Sequence, residues 1–294
     1  MPRIGVIWPA APETAVPLRQ TLQELGYVEG QTVAIDWRFT EGRVDGLPDV
    51  VAQLVRQPVD VLVAGGPPVV RAAKEGTSTV PIVAHDLETD PVAAGLVASI
   101  AHPGGNLTGF FLNLAEMAGK QAELLKEAVP GATRVAALWD SGTAPYPLRA
   151  AEEAARLLGV ELVVLEVTTA EAFDAAFAAV DREHATALMI LSSPLFYLHL
   201  ARLAELAARY HLPSITLFRE YADAGGLMAY GPSLPDSFRR LGYYVDRILK
   251  GTSPGELPVE RPARFDFVVN LKTAESLGVT FPQEILLQVT DAIY

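Results

Sequence analysis

Leu62-Val63-Ala64-Gly65-Gly66-Pro67-Pro68 decides how this chain folds. The apolar run has no polar alternation, so both of its faces are covered, as in the strands of a parallel sheet. Two glycines stop it, and the prolines stand where a helix begins. The same event, a short apolar run ending at a Gly/Pro-rich or polar cluster ahead of a helix, recurs along the 294 residues. In parallel α/β sheets such turns gather on one edge, beyond the carboxyl ends of the strands, and ligands bind there.

On either side of that turn the first half reads as β-α units. Strands are expected at 3–8, 33–38, 59–64, 81–84 and 106–110, and helices at 16–25, 47–56, 69–75 and 91–100. Gly26 has the place of a left-handed cap, and Asp90-Pro91 reads as an N-cap followed by a first-turn proline. A second series opens with a helix at 115–129 and continues with strands at 134–139, 161–167, 187–191 and 214–218. Its further helices fall at 147–158, 170–183 and 199–210, with Thr168 and Glu171 as a capping box. Matching element order in the two halves predicts two doubly wound parallel-sheet α/β lobes.

The last part differs. A strand at 227–230 precedes a helix at 236–250 that stops at Gly251. A connector with Pro254, Pro258 and Pro262, a strand at 265–270 and short helices at 273–277 and 283–293 follow. A long helix and an isolated strand are what remain when a chain crosses back between lobes, and three crossings make a hinge. The expected lobes are 1–111 with 232–260 and 112–231 with 261–294, the ligand cleft lying between them.

Composition narrows the function. Half of the residues are hydrophobic, enough for a sizeable core, and the net charge of −12 opposes binding to nucleic acid, which needs a basic face. The same charge suits a soluble monomer. The absence of cysteine removes disulfides, thiolate metal sites and cysteine nucleophiles. No apolar run reaches the length of about 18 residues that a membrane span needs. After Met1-Pro2 the chain enters its first strand directly, which fits a cytosolic protein or one whose targeting segment has been removed.

Gly-x-Gly-x-x-Gly, the Walker lysine, His-Glu-x-x-His and Gly-x-Ser-x-Gly are all missing. His85, His102, His184, His199 and His211 lack metal-ligand spacing, so neither metal nor cofactor is expected, and no residue is assigned to catalysis. His85 alone follows a strand end and is kept as a pocket candidate. Gly65, Gly66 and Pro67 form either an anion-binding turn at a helix N-terminus or a tight turn with nothing bound. Asp86, Glu88 and Asp90 make an acidic cluster after the fourth strand: Asp86 is a candidate for a ligand ammonium, whereas Asp90 reads first as a cap.

In the second half the corresponding turns carry Asp140, Ser192 with Ser193, and Arg219 with Glu220. Hydroxyls, an arginine and acids at strand ends suit a small zwitterion or carboxylate. No histidine is placed to activate either serine, and Arg219-Glu220 reads equally as a structural ion pair. Aromatic residues collect at the same edges: Trp8, Trp139, Phe196, Phe218 and Tyr230, each either pocket wall or core filling. Trp8, followed by Pro9-Ala10-Ala11-Pro12, is the foremost candidate for stacking on a ligand.

Several motifs in order resemble one family. These are Leu25-Gly26-Tyr27-Val28-Glu29-Gly30-Gln31, Asp90-Pro91-Val92-Ala93-Ala94-Gly95-Leu96-Val97-Ala98-Ser99, Pro103-Gly104-Gly105-Asn106-Leu107-Thr108-Gly109, Ala224-Gly225-Gly226-Leu227-Met228-Ala229-Tyr230-Gly231-Pro232 and Val269-Asn270-Leu271-Lys272-Thr273-Ala274. Together they resemble substrate-binding proteins of ABC importers of the tryptophan/aromatic amino acid type. The resemblance runs from Arg3 almost to Tyr294. It implies a periplasmic-binding-protein-like fold of the first topological class, two lobes with a three-strand hinge closing on a small ligand. It further implies a membrane permease and its ATPase as partners. The location it implies is periplasmic or otherwise extracytoplasmic, with or without a lipid anchor, the export signal being absent from these residues. It places Gly65-Gly66-Pro67, Asp86, Ser192-Ser193 and Arg219-Glu220 on the cleft, with an aromatic amino acid as the favoured ligand. A ligand-sensing regulatory domain and a two-lobed α/β enzyme stand as the alternatives.

Overall fold

Strands buried on both faces build two separate sheets in the computed structural model, which describes residues 1–9, 12–40, 43–87 and 90–294. One compact unit holds Met1–Asn113 and Ser233–Arg264; the other holds Leu114–Pro232 and Phe265–Tyr294. The chain thus passes from unit to unit three times, after Asn113, Pro232 and Arg264. Each unit is an α/β lobe with its own hydrophobic core.

The first segment runs β1 (Arg3–Trp8), α1 (Val16–Glu24), β2 (Ala34–Phe39), α2 (Leu47–Arg56), β3 (Val61–Gly65), α3 (Pro67–Gly76), β4 (Ile82–His85) and β5 (Leu107–Phe110). All neighbours in the sheet are parallel, in the order β2-β1-β3-β4-β5. Leu62, Ala64, Ile82 and Ala84 face α2 and α3, whose Val51, Leu54, Val69 and Ala73 fill that side.

The second segment runs α4 (Leu114–Ala128), β6 (Arg134–Asp140), α5 (Tyr146–Leu157), β7 (Glu161–Val167), α6 (Phe173–Arg182), β8 (Ala187–Ile190), α7 (Pro194–Leu198), α8 (Leu200–Arg209), β9 (Ser214–Thr216), α9 (Arg219–Asp223) and β10 (Met228–Pro232). Then α10 (Leu234–Leu249) returns to the first unit, where it packs on α1, β4 and β5. The second unit is completed by β11 (Phe265–Asn270), α11 (Leu271–Leu277), α12 (Gln283–Leu286) and β12 (Asp291–Ile293). Its sheet order is β12-β11-β10-β9-β8-β6-β7. Along β8, Ala187 and Met189 face the core built with α4 and α5, and Leu188 and Ile190 face the core built with α6 and α8.

Four expectations are corrected. The second sheet is mixed, because β11 runs antiparallel to β10. Residues 91–100 form turns: Asp90 Oδ1 accepts from Val92 and Ala93 N–H at 3.1 and 2.9 Å, Leu96 and Val97 N–H both return to the Pro91 carbonyl, and Gly95 sits at φ +69°. One capped turn closes on itself there, and no helix propagates. The helix expected over 283–293 stops at Leu286, because Thr290 is captured by the neighbouring strand. Its N–H and hydroxyl both donate to the Phe267 carbonyl, its Oγ1 accepts from Phe267 N–H at 2.8 Å, and β12 then pairs with β11. The expected capping box does not form: Thr169 is the N-cap, with no side-chain bond to the helix backbone, and the Glu171 carboxylate hydrogen-bonds Thr169.

The motifs that carry the resemblance turn out to be braces. Asn106 gives its amide hydrogens to the Thr77 and Val80 carbonyls and accepts from Lys74 Nζ, locking the approach to β4. Asn270 caps α11 through Thr273 N–H and donates to Ala222 O, while the Thr273 hydroxyl donates to Gly225 O. Tyr27 donates its hydroxyl to Asp246 of α10 at 2.9 Å, and burial with that carboxylate pushes the phenol up to about 12. No helix among the described residues is long and apolar enough to cross a membrane.

Gly109 is the tightest of these joints. It lies at φ +134°, and a Cβ there would stand 2.1 Å from Ala84 O in the paired strand. Its own carbonyl accepts from Glu260 N–H at 3.0 Å. Gly109→Ala is therefore expected to cost about 2–4 kcal/mol in urea denaturation through clash and backbone strain. Gly119→Ala, in α4 with nothing within 4 Å, should instead gain about 0.5–1 kcal/mol by helix propensity.

Candidate functional site

Read from their first strands, the two sheets share one order. In the first unit the direction of winding reverses between β1 and β3, and in the second between β6 and β8. Beyond the carboxyl ends of such strand pairs the diverging connections leave a crevice. The turns singled out in the sequence stand at these ends.

In the first unit the Trp8 indole lies across the end of β3. A Cβ on Gly65 would stand 2.8 Å from Trp8 Cε3 and 2.6 Å from Pro9 Cδ, so a glycine there leaves room for the indole. Trp8 Nε1 donates to Thr14 Oγ1 at 3.0 Å, fixing the ring. The indole then meets His85 at 5.3 Å between centroids and Phe238 at 5.4 Å; His85 and Phe238 are nearly parallel, 9° apart at 5.6 Å. Trp8 is 5% exposed and His85 9%. Phe238, in the first turns of α10, had no signal in the sequence beyond being an aromatic residue after a crossing.

The Gly65-Gly66-Pro67 turn offers less to an anion than its glycines suggest. Gly66 N–H is donated to the His85 carbonyl at 3.0 Å, and Pro67 and Pro68 carry no N–H. Asp86 is buried at φ +91°, and its Oδ1 accepts from Leu112 N–H at 3.1 Å, so it braces the loop beside His85. Asp90 caps the turn that follows. Glu88, Ala10 and Ala11 lie outside the described residues.

In the second unit Asp140 organises its own turn. Its Oδ1 accepts from Gly142 N–H at 2.9 Å, and its carbonyl accepts the N–H and hydroxyl of Thr143. Ser193 is the cap of α7, accepting from Phe196 N–H at 3.0 Å, and Phe196 is 1% exposed in the core beside Phe173. Ser192 is half-buried next to it. Trp139 is half-buried against α4 and α5, with its indole N–H unpartnered. Tyr230, on β10, stacks on Phe265 at 6.0 Å.

Arg219 and Glu220 do not form a mutual ion pair in the ion-pair geometry. Arg219 reaches Asp291 at 2.7 Å and Asp223 at 3.4 Å, tying α9 to β12. Glu220 takes a hydrogen bond from the hydroxyl of Tyr197, whose ring packs edge-on against Phe218 at 4.6 Å. Desolvation, the larger cause, raises the Glu220 carboxyl above the usual range, and desolvation with this acid raises the phenol. Tyr197 was missed in the sequence because it follows the serines without a motif of its own. Among the described residues no group of three His, Asp or Glu side chains could hold a metal ion.

Burial has a measurable consequence at His85. Desolvation lowers its imidazole from 6.5 to about 4, so between those values the unfolded chain binds a proton that the folded chain does not. The stability this neutral histidine contributes is complete above pH 6.5 and is lost as pH falls through the window. In urea titrations the difference between the wild type and His85→Phe should therefore change by up to about 1.4 kcal/mol per pH unit between pH 6.5 and 4. Parallel pH profiles would contradict it.

Comparison with known proteins agrees with this fold. A Vibrio cholerae conserved domain protein of known structure superposes with a TM-score of 0.88 and 25% identity, covering 99% of both chains. An ABC domain from Streptococcus pneumonia, solved in complex with L-Trp, gives 0.84 at 23% identity over 99% of this chain and all of that one. In sequence, a Clostridioides difficile tyrosine-binding protein is 23% identical over 264 residues, 88% of this chain and 75% of the relative. Residues 6–293 match the ABC transporter substrate binding protein family, and the chain belongs to it.

Proposed function

We propose that this chain, as the substrate-binding protein of an ABC importer, captures an aromatic amino acid. The observation that carries the reading is the ring cluster of Trp8, His85 and Phe238 at the strand ends of the first unit. Flat aromatic walls with few polar atoms suit an aromatic side chain better than a sugar or a small acid. The two relatives named for tyrosine and for L-Trp support the same class.

The second unit supplies the opposite chemistry. Glu220, held by Tyr197, receives the ligand ammonium, and the Ser192 hydroxyl donates to its carboxylate. Asp86, Asp140 and Ser193 shape the turns around the ligand without spending their own hydrogen bonds on it. Both units close on the captured solute, and the bound form is favoured by the contacts that only closure completes. In this role the protein works outside the cytoplasm, free or lipid-anchored. It delivers its solute to a membrane permease driven by an ATPase.

Thermal denaturation against the common amino acids tests this. Tyrosine, tryptophan or phenylalanine should stabilise the chain above all others, by about 2.7 kcal/mol when present at a hundred times the dissociation constant. Trp8→Ala should weaken that ligand by about tenfold or more while the chain stays folded. Stabilisation by sugars or aliphatic amino acids, with none by the aromatic ones, would refute the assignment.

A further inference from the structure

Within the ring cluster one atom is left without a partner. His85 Nε2 is buried and makes no hydrogen bond, although Trp8 Nε1 beside it is satisfied by Thr14. A buried, unpaired polar atom costs free energy that folded proteins seldom tolerate without a use for it. Interaction of the ring with the residue's own backbone favours a proton on the imidazole, and with Nε2 unpartnered the proton is assigned to Nδ1. In a neutral imidazole this leaves Nε2 as an acceptor with a free lone pair. Burial keeps the ring neutral at physiological pH.

The surroundings hold that acceptor in place. Gly66 N–H fixes the His85 carbonyl at 3.0 Å, and the imidazole is confined by Trp8 and Phe238. Immediately after it, Asp86 is held at φ +91° by its bond from Leu112 N–H. A non-glycine residue in that region is strained, and such strain collects at sites that bind. An acceptor set among aromatic faces matches a flat ring that bears an O–H or N–H.

We infer that His85 Nε2 accepts a hydrogen bond from a donor on the ring of the solute, and so selects a phenol or indole over an unsubstituted phenyl ring. The inference rests on the aromatic amino acid reading and deepens it. His85 is here a specificity-determining contact. Phenylalanine would fill the same slot and leave Nε2 unpaired, which is how a polar site rejects an analogue lacking its partner group.

Calorimetric titration of L-tyrosine, L-tryptophan and L-phenylalanine into the wild type and His85→Phe tests this, with circular dichroism and melting confirming that the variant folds. The wild type should prefer tyrosine or tryptophan over phenylalanine by about 10- to 100-fold. In His85→Phe, which keeps a ring between Trp8 and Phe238, the preference should collapse to about twofold or less while phenylalanine still binds. Should that variant not fold, His85→Leu carries the same comparison. Equal affinities in the wild type, or an undiminished preference in the folded variant, would overturn the role of His85. Binding of none of the three to the wild type would overturn the aromatic amino acid reading itself, and the donor selection with it.

Discussion

The indole of Trp8 can lie where it does only because position 65 has no side chain. A Cβ at Gly65 would stand 2.8 Å from the ring, closer than carbon atoms approach. With glycine there, the indole settles over the end of β3, donates to Thr14, and packs at a tilt against His85 and Phe238. The sheet order puts β1, β3 and β4 side by side, so these groups share one edge. The position of α10 completes the cluster, since Phe238 belongs to the segment that returns to the first unit after Pro232. The candidate recognition surface of this unit therefore depends on one close contact and one chain crossing.

The second unit uses the same strand order for different work. Its turns spend most of their polar groups internally: Asp140 on its own turn, Ser193 on the cap of α7, Arg219 on Asp223 and Asp291. The proposed solute contacts in this unit are Ser192 and Glu220, whose carboxylate is bonded by Tyr197 beside Phe218.

Much of the fold was legible because apolar runs such as 62–64 and 187–190 have no amphipathic alternation and are flanked by glycine, proline or caps. The errors arose where tertiary contacts outweighed local pattern. Residues 283–293 have helical spacing of Ile285, Val289 and Ile293, but the two-way bonding of Thr290 with Phe267 draws the end of the chain into the sheet. Residues 91–100 carry a good cap and a first-turn proline, yet Gly95 turns the chain after a single loop. For the site, strand-end position pointed to Trp8, His85 and Glu220. It could not tell which of two adjacent hydroxyls caps a helix: Ser193 accepts from Phe196 N–H and is buried, whereas Ser192 is half-buried beside it. Phe238 and Tyr197 escaped because their roles come from packing between segments distant in sequence or from a side chain's direction on a short helix.

A crystal structure of the chain with a bound aromatic amino acid tests the central claim most directly. The account predicts the ligand ring against Trp8 and His85 and its ammonium at Glu220. Density for the ligand away from the carboxyl ends of both sheets, with Trp8 and Glu220 untouched, would contradict it.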